Sequence, residues 1–340
     1  MIVILRKGAT EEQVDRIVDA IEDAGFGAHI SRGEERTIIG AIGTSPEMRP
    51  HLMEMFSGMP FVDHVVPVLK PYKLVSVEAQ PEPSVVEVGG VPVGPGTFTV
   101  IAGPCAVESE EQLLSAARAA RDAGARLLRG GAYKPRTSPY DFQGLGEEGL
   151  RLLAAAREET GLPVVTEARS PDHVAKVVEY ADAIQVGARN MQNFDLLTEA
   201  GQTRMPVVLK RGFSSTVEEW LKAAEYVASV GNLNIILCER GVRTYETAVR
   251  FTQDLGIVPV VRELSHLPII IDPSHASGKR SLVPAVCRAA VAVDADGLLV
   301  EVHPDPDQAL CDPAQQLRPQ QFAETMKQVR ELAAVMGRTL

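Results

Sequence analysis

Short apolar runs and amphipathic stretches alternate along most of this chain, and the first 70 residues keep a different rhythm from the remainder. From Thr97 onwards the alternation recurs eight times. The apolar runs predict strands over 98–102, 126–130, 163–167, 183–187, 206–210, 234–239, 268–272 and 297–302. Helical spacing predicts helices over 110–123, 147–160, 171–180, 192–200, 217–230, 244–255 and 283–293, with 319–336 closing the chain. Strands that are apolar throughout belong to parallel sheet buried on both faces. Eight such units in about 240 residues point to a (β/α)8 TIM barrel. A doubly wound open sheet is the alternative, but no Gly-x-Gly-x-x-Gly follows the first strand, so a dinucleotide site has no support.

The N-terminal rhythm is βαββαβ. A strand at 2–5 leads to a helix that Thr10 can cap and that runs to Ala24, with Val14, Ile17, Val18 and Ile21 on one face and Gly25 as its stop. Strands at 28–31 and 36–42 form a hairpin around Gly33, and a helix at 46–55 precedes a last strand at 62–68. This order predicts a small ferredoxin-like α+β domain over 1–70. Such a domain serves effector binding or oligomerisation, and fold alone does not choose. Prolines and polar residues mark 71–83 as a linker, and 85–93, with Gly89-Gly90 at its centre, reads as a β-hairpin at the head of the barrel domain, 84–340.

Composition narrows the function. Hydrophobic residues make up 45% and charged residues 23%, values of an ordinary soluble globular protein. No apolar run approaches the roughly 18 residues of a membrane span, and the N-terminus passes straight to Arg6 and Lys7 without a signal pattern. A cytoplasmic protein with no membrane partner is expected. A net charge of −11 argues against nucleic acid as partner. The four cysteines, Cys105, Cys238, Cys287 and Cys311, contain no Cys-x-x-Cys pair, which favours free thiols with a metal or catalytic role open to any of them.

Candidate chemistry gathers where a barrel keeps it, at the C-terminal ends of the strands. Residues 128–144 crowd Arg129, Lys134 and Arg136 with Thr137 and Ser138 among glycines and prolines, as an anion site does. Arg189, Lys210 and Arg240 follow later strands, so the ring of cations can neutralise two phosphates, or a phosphate and a carboxylate. Cys105, His275, Glu301 and Asp312 follow strands one, seven and eight, which closure of the barrel makes neighbours. One thiolate, one imidazole and two carboxylates suit a divalent transition metal such as Mn2+, Fe2+, Co2+ or Zn2+. Taken singly, Cys105 reads as a buried hydrophobe, His275 as a hydrogen-bonded loop residue and Glu301 as an ion-pair partner; their joint placement favours the metal. Cys238 and Cys287 read as core, and Cys311, beside Asp312, raises a disulfide with Cys105 in metal-free protein.

Several stretches together resemble one family: Ala102-Gly103-Pro104-Cys105-Ala106-Val107-Glu108-Ser109, Lys134-Pro135-Arg136-Thr137-Ser138, Gly187-Ala188-Arg189-Asn190, Val208-Leu209-Lys210-Arg211-Gly212 and Asp272-Pro273-Ser274-His275. The family is 3-deoxy-D-arabino-heptulosonate 7-phosphate (DAHP) synthase, and the resemblance covers nearly the whole barrel. The related 3-deoxy-D-manno-octulosonate 8-phosphate synthases carry Lys-Ala-Asn-Arg-Ser-Ser where this chain has Lys-Pro-Arg-Thr-Ser, a loop that discriminates aldoses. The resemblance implies condensation of phosphoenolpyruvate with erythrose 4-phosphate. It places phosphoenolpyruvate on Arg129, Lys134, Arg189, Lys210 and Arg240, and the sugar phosphate on Arg136, Thr137, Ser138 and Asn190. The metal would sit on Cys105, His275, Glu301 and Asp312, with Lys134 relaying a proton. Residues 1–70 resemble a regulatory domain that gives feedback inhibition by tyrosine or phenylalanine, with His29 and Ser31 on its effector-contact strand, and relatives are usually homotetramers. Two rivals stand beside this reading: a synthase for another aldose, and an idle barrel that binds an amino acid.

Overall fold

Alternating burial builds the first unit, Met1–Lys73. The structure, a computed structural model, describes residues 1–32, 37–42, 44, 48–66, 71–136 and 138–340. Strands β1 (Ile2–Leu5), β2 (Gly27–Arg32), β3 (Thr37–Ile42) and β4 (Val62–Val66) form an antiparallel sheet in the order β2-β3-β1-β4. Helices α1 (Glu11–Asp23) and α2 (Arg49–Ser57) complete the βαββαβ order and the ferredoxin-like fold. Thr10 caps α1: its hydroxyl accepts from Gln13 N, and the Gln13 side chain accepts from Thr10 N at 3.0 Å. Val14, Ile17 and Ile21 of α1 and Leu52 and Phe56 of α2 then bury against Val3, Leu5, Ile39, Ala41 and Val62 on one face of the sheet. The expected Gly33 turn, the start of the helix at 46–55 and the end of the strand at 62–68 lie outside the described residues.

The second unit, Leu74–Leu340, is the barrel. Residues expected to be linker are bound to it from Leu74 onwards: Leu74 N donates to Glu225 Oε1 at 2.9 Å, Ser265 Oγ to Val75 O at 2.5 Å and Ser84 N to His266 O at 2.7 Å. The hairpin β5 (Val86–Val88) and β6 (Val91–Val93) buries its valines against Ile101, Leu127, Val208 and Leu299 of the barrel interior. Thr99, the first residue of its strand, donates to Pro92 O at 2.6 Å, so this hairpin plugs the N-terminal mouth.

Eight parallel strands close the barrel: β7 (Thr99–Gly103), β8 (Leu127–Arg129), β9 (Val164–Ala168), β10 (Ala183–Val186), β11 (Val207–Lys210), β12 (Ile235–Glu239), β13 (Ile269–Ile271) and β14 (Gly297–Glu301). All are buried along their length, and each begins and ends within two residues of its expected position. Around them run α3 (Glu110–Asp122), α4 (Glu147–Thr160), α5 (Pro171–Tyr180), α6 (Phe194–Gln202), α7 (Val217–Ser229), α8 (Ile257–Leu264), the short α9 (Pro273–Ser277), α10 (Val283–Ala292) and α11 (Pro319–Val335). The single tryptophan, Trp220 on α7, is fully buried, and its indole N–H donates to Leu209 O at 3.2 Å.

One expected helix is corrected. Residues 244–255 form a loop, and the helix is α8, further along. Pro259 occupies the third position of α8, in the first turn, where a backbone N–H has no intrahelical acceptor to lose. Gly103 closes β7 at φ 153, and a Cβ there would collide with the Arg129 carbonyl oxygen, so glycine lets β7 and β8 converge. Among the described residues, no helix is long and apolar enough to cross a membrane.

Candidate active site

β7 and β14 pair with Gly103 opposite Glu301, which brings Cys105 and Glu301 side by side at the C-terminal mouth. Asp272 caps α9 by accepting from His275 N at 3.0 Å, and the turn carries the His275 ring over the mouth. Its Nε2 lies 3.4 Å from Glu301 Oε1 and 3.9 Å from Asp312 Oδ2, while Nδ1 is 2.7 Å from Asp272 Oδ2. Asp312 has φ 47, a left-handed conformation that aspartate tolerates better than most residues. Its Oδ2 reaches 3.8 Å from Cys105 Sγ. One ligand atom from each of Cys105, His275, Glu301 and Asp312 lies within 4.8 Å of the others.

The carboxylates and the imidazole are in the states a cation needs. Burial would raise the Glu301 carboxyl, but His275, Arg129 and Lys134 together outweigh it and hold it below the ordinary range. Burial is likewise overcome at Asp272, by His275 and Lys210, and at Asp312, by His275, Arg250 and Lys134 against Glu301 as well. Burial lowers His275 despite Asp272 and Glu301, which favours the neutral imidazole a ligand must be. Cys105 and Cys311 are free thiols with sulfurs 3.2 Å apart. Their hydrogen bond, with burial behind it, pushes Cys105 up, and accepting that bond lowers Cys311. Sulfur, nitrogen and two ionised carboxylates at this spacing fit a divalent first-row metal.

Beside these four residues opens a cleft whose walls include Lys134, Arg136, Arg189, Lys210, Arg240 and Arg250. Lys134 Nζ donates to Cys105 O at 2.9 Å and to Cys105 Sγ at 3.2 Å. Burial would lower Lys134, but the sulfurs of Cys105 and Cys311 outweigh it and raise the amine, which stays an ammonium. Lys210 Nζ pairs with Asp272 Oδ2 at 2.6 Å. The Arg240 guanidinium lies 4.7 Å from the Phe213 ring centre and 4.0 Å from that of Phe251. Its Nε and Nη1 are buried without partners among the described residues, and burial brings its pKa down to about 10. A buried cation with unused donors is costly until an anion completes it.

The expected binding residues divide. Lys134, Arg136, Arg189, Lys210 and Arg240 line the cleft. Arg129 stands behind it, donating to Glu301 Oε1 at 2.5 Å and to Cys105 O at 3.1 Å, with its Nε buried and unpartnered. Ser138 and Asn190 are not on the cleft walls; Ser138 Oγ accepts from Tyr140 N at 3.3 Å and Asn190 Oδ1 from Asn193 Nδ2 at 3.3 Å. Thr137 lies outside the described residues. His29 and Ser31 share the face of β2 opposite the one that carries Ala28 and Ile30 to the core of the first unit. Residue reading missed Arg250 and Phe251, which arrive on the loop mistaken for a helix, and Gln315. It noted Glu167 without a role. Its Oε1 is buried at the cleft with no hydrogen-bond partner among the described residues, and Gly187, which carries no side chain, leaves it room.

The sequence pattern of the family described as DAHP synthetase I matches residues 76–336, and that of the DAHP synthase ferredoxin-like domain matches residues 1–70. The chain is 52% identical over 337 residues to phospho-2-dehydro-3-deoxyheptonate aldolase of Thermotoga maritima, covering 99% of each. It is 37% identical over 256 residues to 2-dehydro-3-deoxyphosphooctonate aldolase of Syntrophotalea carbinolica, covering 70% of this chain and 91% of that one. The crystal structure of the Thermotoga maritima DAHP synthase superposes with a TM-score of 0.79 at 50% identity, over 99% of this chain and 98% of that one. A truncated form of the Thermotoga enzyme superposes with a TM-score of 0.74 at 50% identity, over 79% of this chain and 98% of that one.

Proposed function

The chain belongs to the DAHP synthetase I family and is a transferase, and we propose on that footing that it condenses phosphoenolpyruvate with erythrose 4-phosphate to give DAHP and inorganic phosphate. The observation that carries this reading is the bare Arg240 guanidinium in a cationic cleft beside four convergent metal-ligand side chains. Phosphoenolpyruvate, with a phosphate and a carboxylate, meets the need of Arg240, Arg189, Lys210 and Lys134 for anions, with Arg129 behind them. Arg136, Thr137, Ser138 and Asn190 are the proposed contacts of the sugar phosphate.

Cys105, His275, Glu301 and Asp312 would hold one divalent ion, Mn2+, Fe2+, Co2+ or Zn2+, which when bound supplies Lewis acidity to the aldehyde carbonyl. Lys134, kept an ammonium, is a proton donor for the oxygen of that carbonyl as C3 of phosphoenolpyruvate attacks it. Glu167 Oε1 is a free acceptor able to orient the water that adds at C2. The cations of the cleft hold phosphate and carboxylate fixed while the second substrate enters; such positioning is worth up to about 7–11 kcal/mol in favourable cases.

Phosphate release tests this. With phosphoenolpyruvate present, erythrose 4-phosphate is expected to support release and arabinose 5-phosphate to support little, and a chelator is expected to stop the reaction until a divalent metal is restored. Preference for the five-carbon sugar would move the chain to the octulosonate branch, and full activity in chelator would remove the metal from the mechanism. We assign residues 1–70 to feedback control by tyrosine or phenylalanine, with His29 and Ser31 as effector contacts, in a cytoplasmic homotetramer; the match of the ferredoxin-like domain supports the regulatory part.

A further inference from the structure

We propose that Gln315 and Gln316 are the positioning residues of the metal site, an inference that rests on the reading of Cys105, His275, Glu301 and Asp312 as metal ligands. Gln315 acts on side chains. Its Nε2 donates to Glu301 Oε2 at 2.6 Å and to Asp312 Oδ2 at 3.4 Å, and its Oε1 accepts from Arg250 Nη1 at 2.9 Å. Gln316 acts on the main chain, where Oε1 accepts from Cys105 N at 2.9 Å and Nε2 donates to Cys311 O at 2.8 Å. Two adjacent amides thus tie together the carboxylate ligands and the segments that carry Cys105 and Asp312.

The orientation of both amides follows from their partners. A carboxylate only accepts and the Cys105 N–H only donates, so neither amide can turn over without losing bonds. Both residues are buried, Gln315 at 2% exposure and Gln316 at 0%. Their mount is firm, because Leu317 N donates to Glu301 O at 2.8 Å and His303 N to Leu317 O at 3.0 Å, which lays this segment alongside the strand that carries Glu301. An amide also suits the task electrostatically. It holds two carboxylates in place without adding a positive charge that would repel a divalent cation, and it does not titrate. Hydrogen-bonding partners of metal ligands typically carry a factor of about 10–100 in metal affinity.

The full-length chain, stripped with chelator, is titrated with Co2+ while the thiolate-to-cobalt charge-transfer band and the d–d bands are recorded. Gln315→Met and Gln316→Met, each close to the parent in volume, are expected to weaken Co2+ binding by about 10–100-fold and to shift the d–d bands, which packing alone would leave in place. If a methionine variant does not fold, Gln315→Glu or Gln316→Glu replaces it, keeping size and polarity but losing the N–H donors, and altered bands are again expected. Folded variants with parental bands and a Co2+ dissociation constant within about twofold of the parent would overturn the inference and leave the metal reading standing. A parent that takes up no Co2+ would overturn both.

Discussion

At Arg240 a guanidinium lies against a stacked pair of aromatic rings, with two of its nitrogens lacking a partner among the described residues. Planarity matters there as much as charge, since only a flat cation stacks on Phe213 and Phe251 while turning a fork of donors to an anion. Arg240→Lys keeps the charge and loses both properties. The KM for phosphoenolpyruvate is expected to rise on the order of 10–100-fold, equivalent to one charge-assisted hydrogen bond of about 1.5–3 kcal/mol, while the KM for the aldose changes little. Steady-state kinetics with each substrate varied in turn would check it. Asp272 and Glu301 make a second prediction. Both are held below the ordinary carboxylate range in the folded chain, so the unfolded chain binds more protons in acid. Their stabilisation is present in full above the unfolded values near about pH 4 and is lost as pH falls towards the folded ones. The contribution of these two carboxylates to the urea midpoint of metal-free protein is therefore expected to be lost as pH falls below about 4, and a midpoint that rises on acidification through that range would contradict the assignment.

Among the elements, the junction of β7 and β8 tolerates least. A methyl on Gly103 would meet the Arg129 carbonyl, part of a buried β-strand that cannot move alone. Gly103→Ala is expected to cost stability at the upper end of about 1–3 kcal/mol, seen as a lower urea midpoint with an unchanged slope, together with activity, because Cys105 and Arg129 flank the junction. The barrel was legible in the residues because each of its strands is buried on both faces, and an unbroken apolar run is the signature of that burial. Cys105, His275, Glu301 and Asp312 were legible once eight strands implied closure, since closure makes the ends of β7 and β14 neighbours. The loop at 244–255 was not legible, because Ala248, Phe251 and Leu255 fall at helical spacing while Pro259 disguises the true helix start. Gln315 and Gln316 were hidden for another reason: an amide has no charge and no motif, and its role exists only through its partners. The resemblance sets Arg129 against phosphoenolpyruvate, and its side chain instead stands behind the cleft, on Glu301.

For the whole molecule, the division after Lys73 frames the regulatory question. Deleting residues 1–70 is expected to leave phosphate release in place while abolishing inhibition by tyrosine or phenylalanine. Inhibition that survives the deletion would put the effector site in the barrel and remove His29 and Ser31 from it. Trp220 turns the same division into a measurement. The chain's only indole is sealed inside the second unit, bonded to Leu209 one residue before Lys210, and Met1–Lys73 has none. Tryptophan emission therefore watches the barrel alone, whereas far-ultraviolet circular dichroism sums both units. Recorded on one denaturation series, the gap between the two traces is the melting curve of the first unit, and a dye or label is not required to see whether an added amino acid moves it.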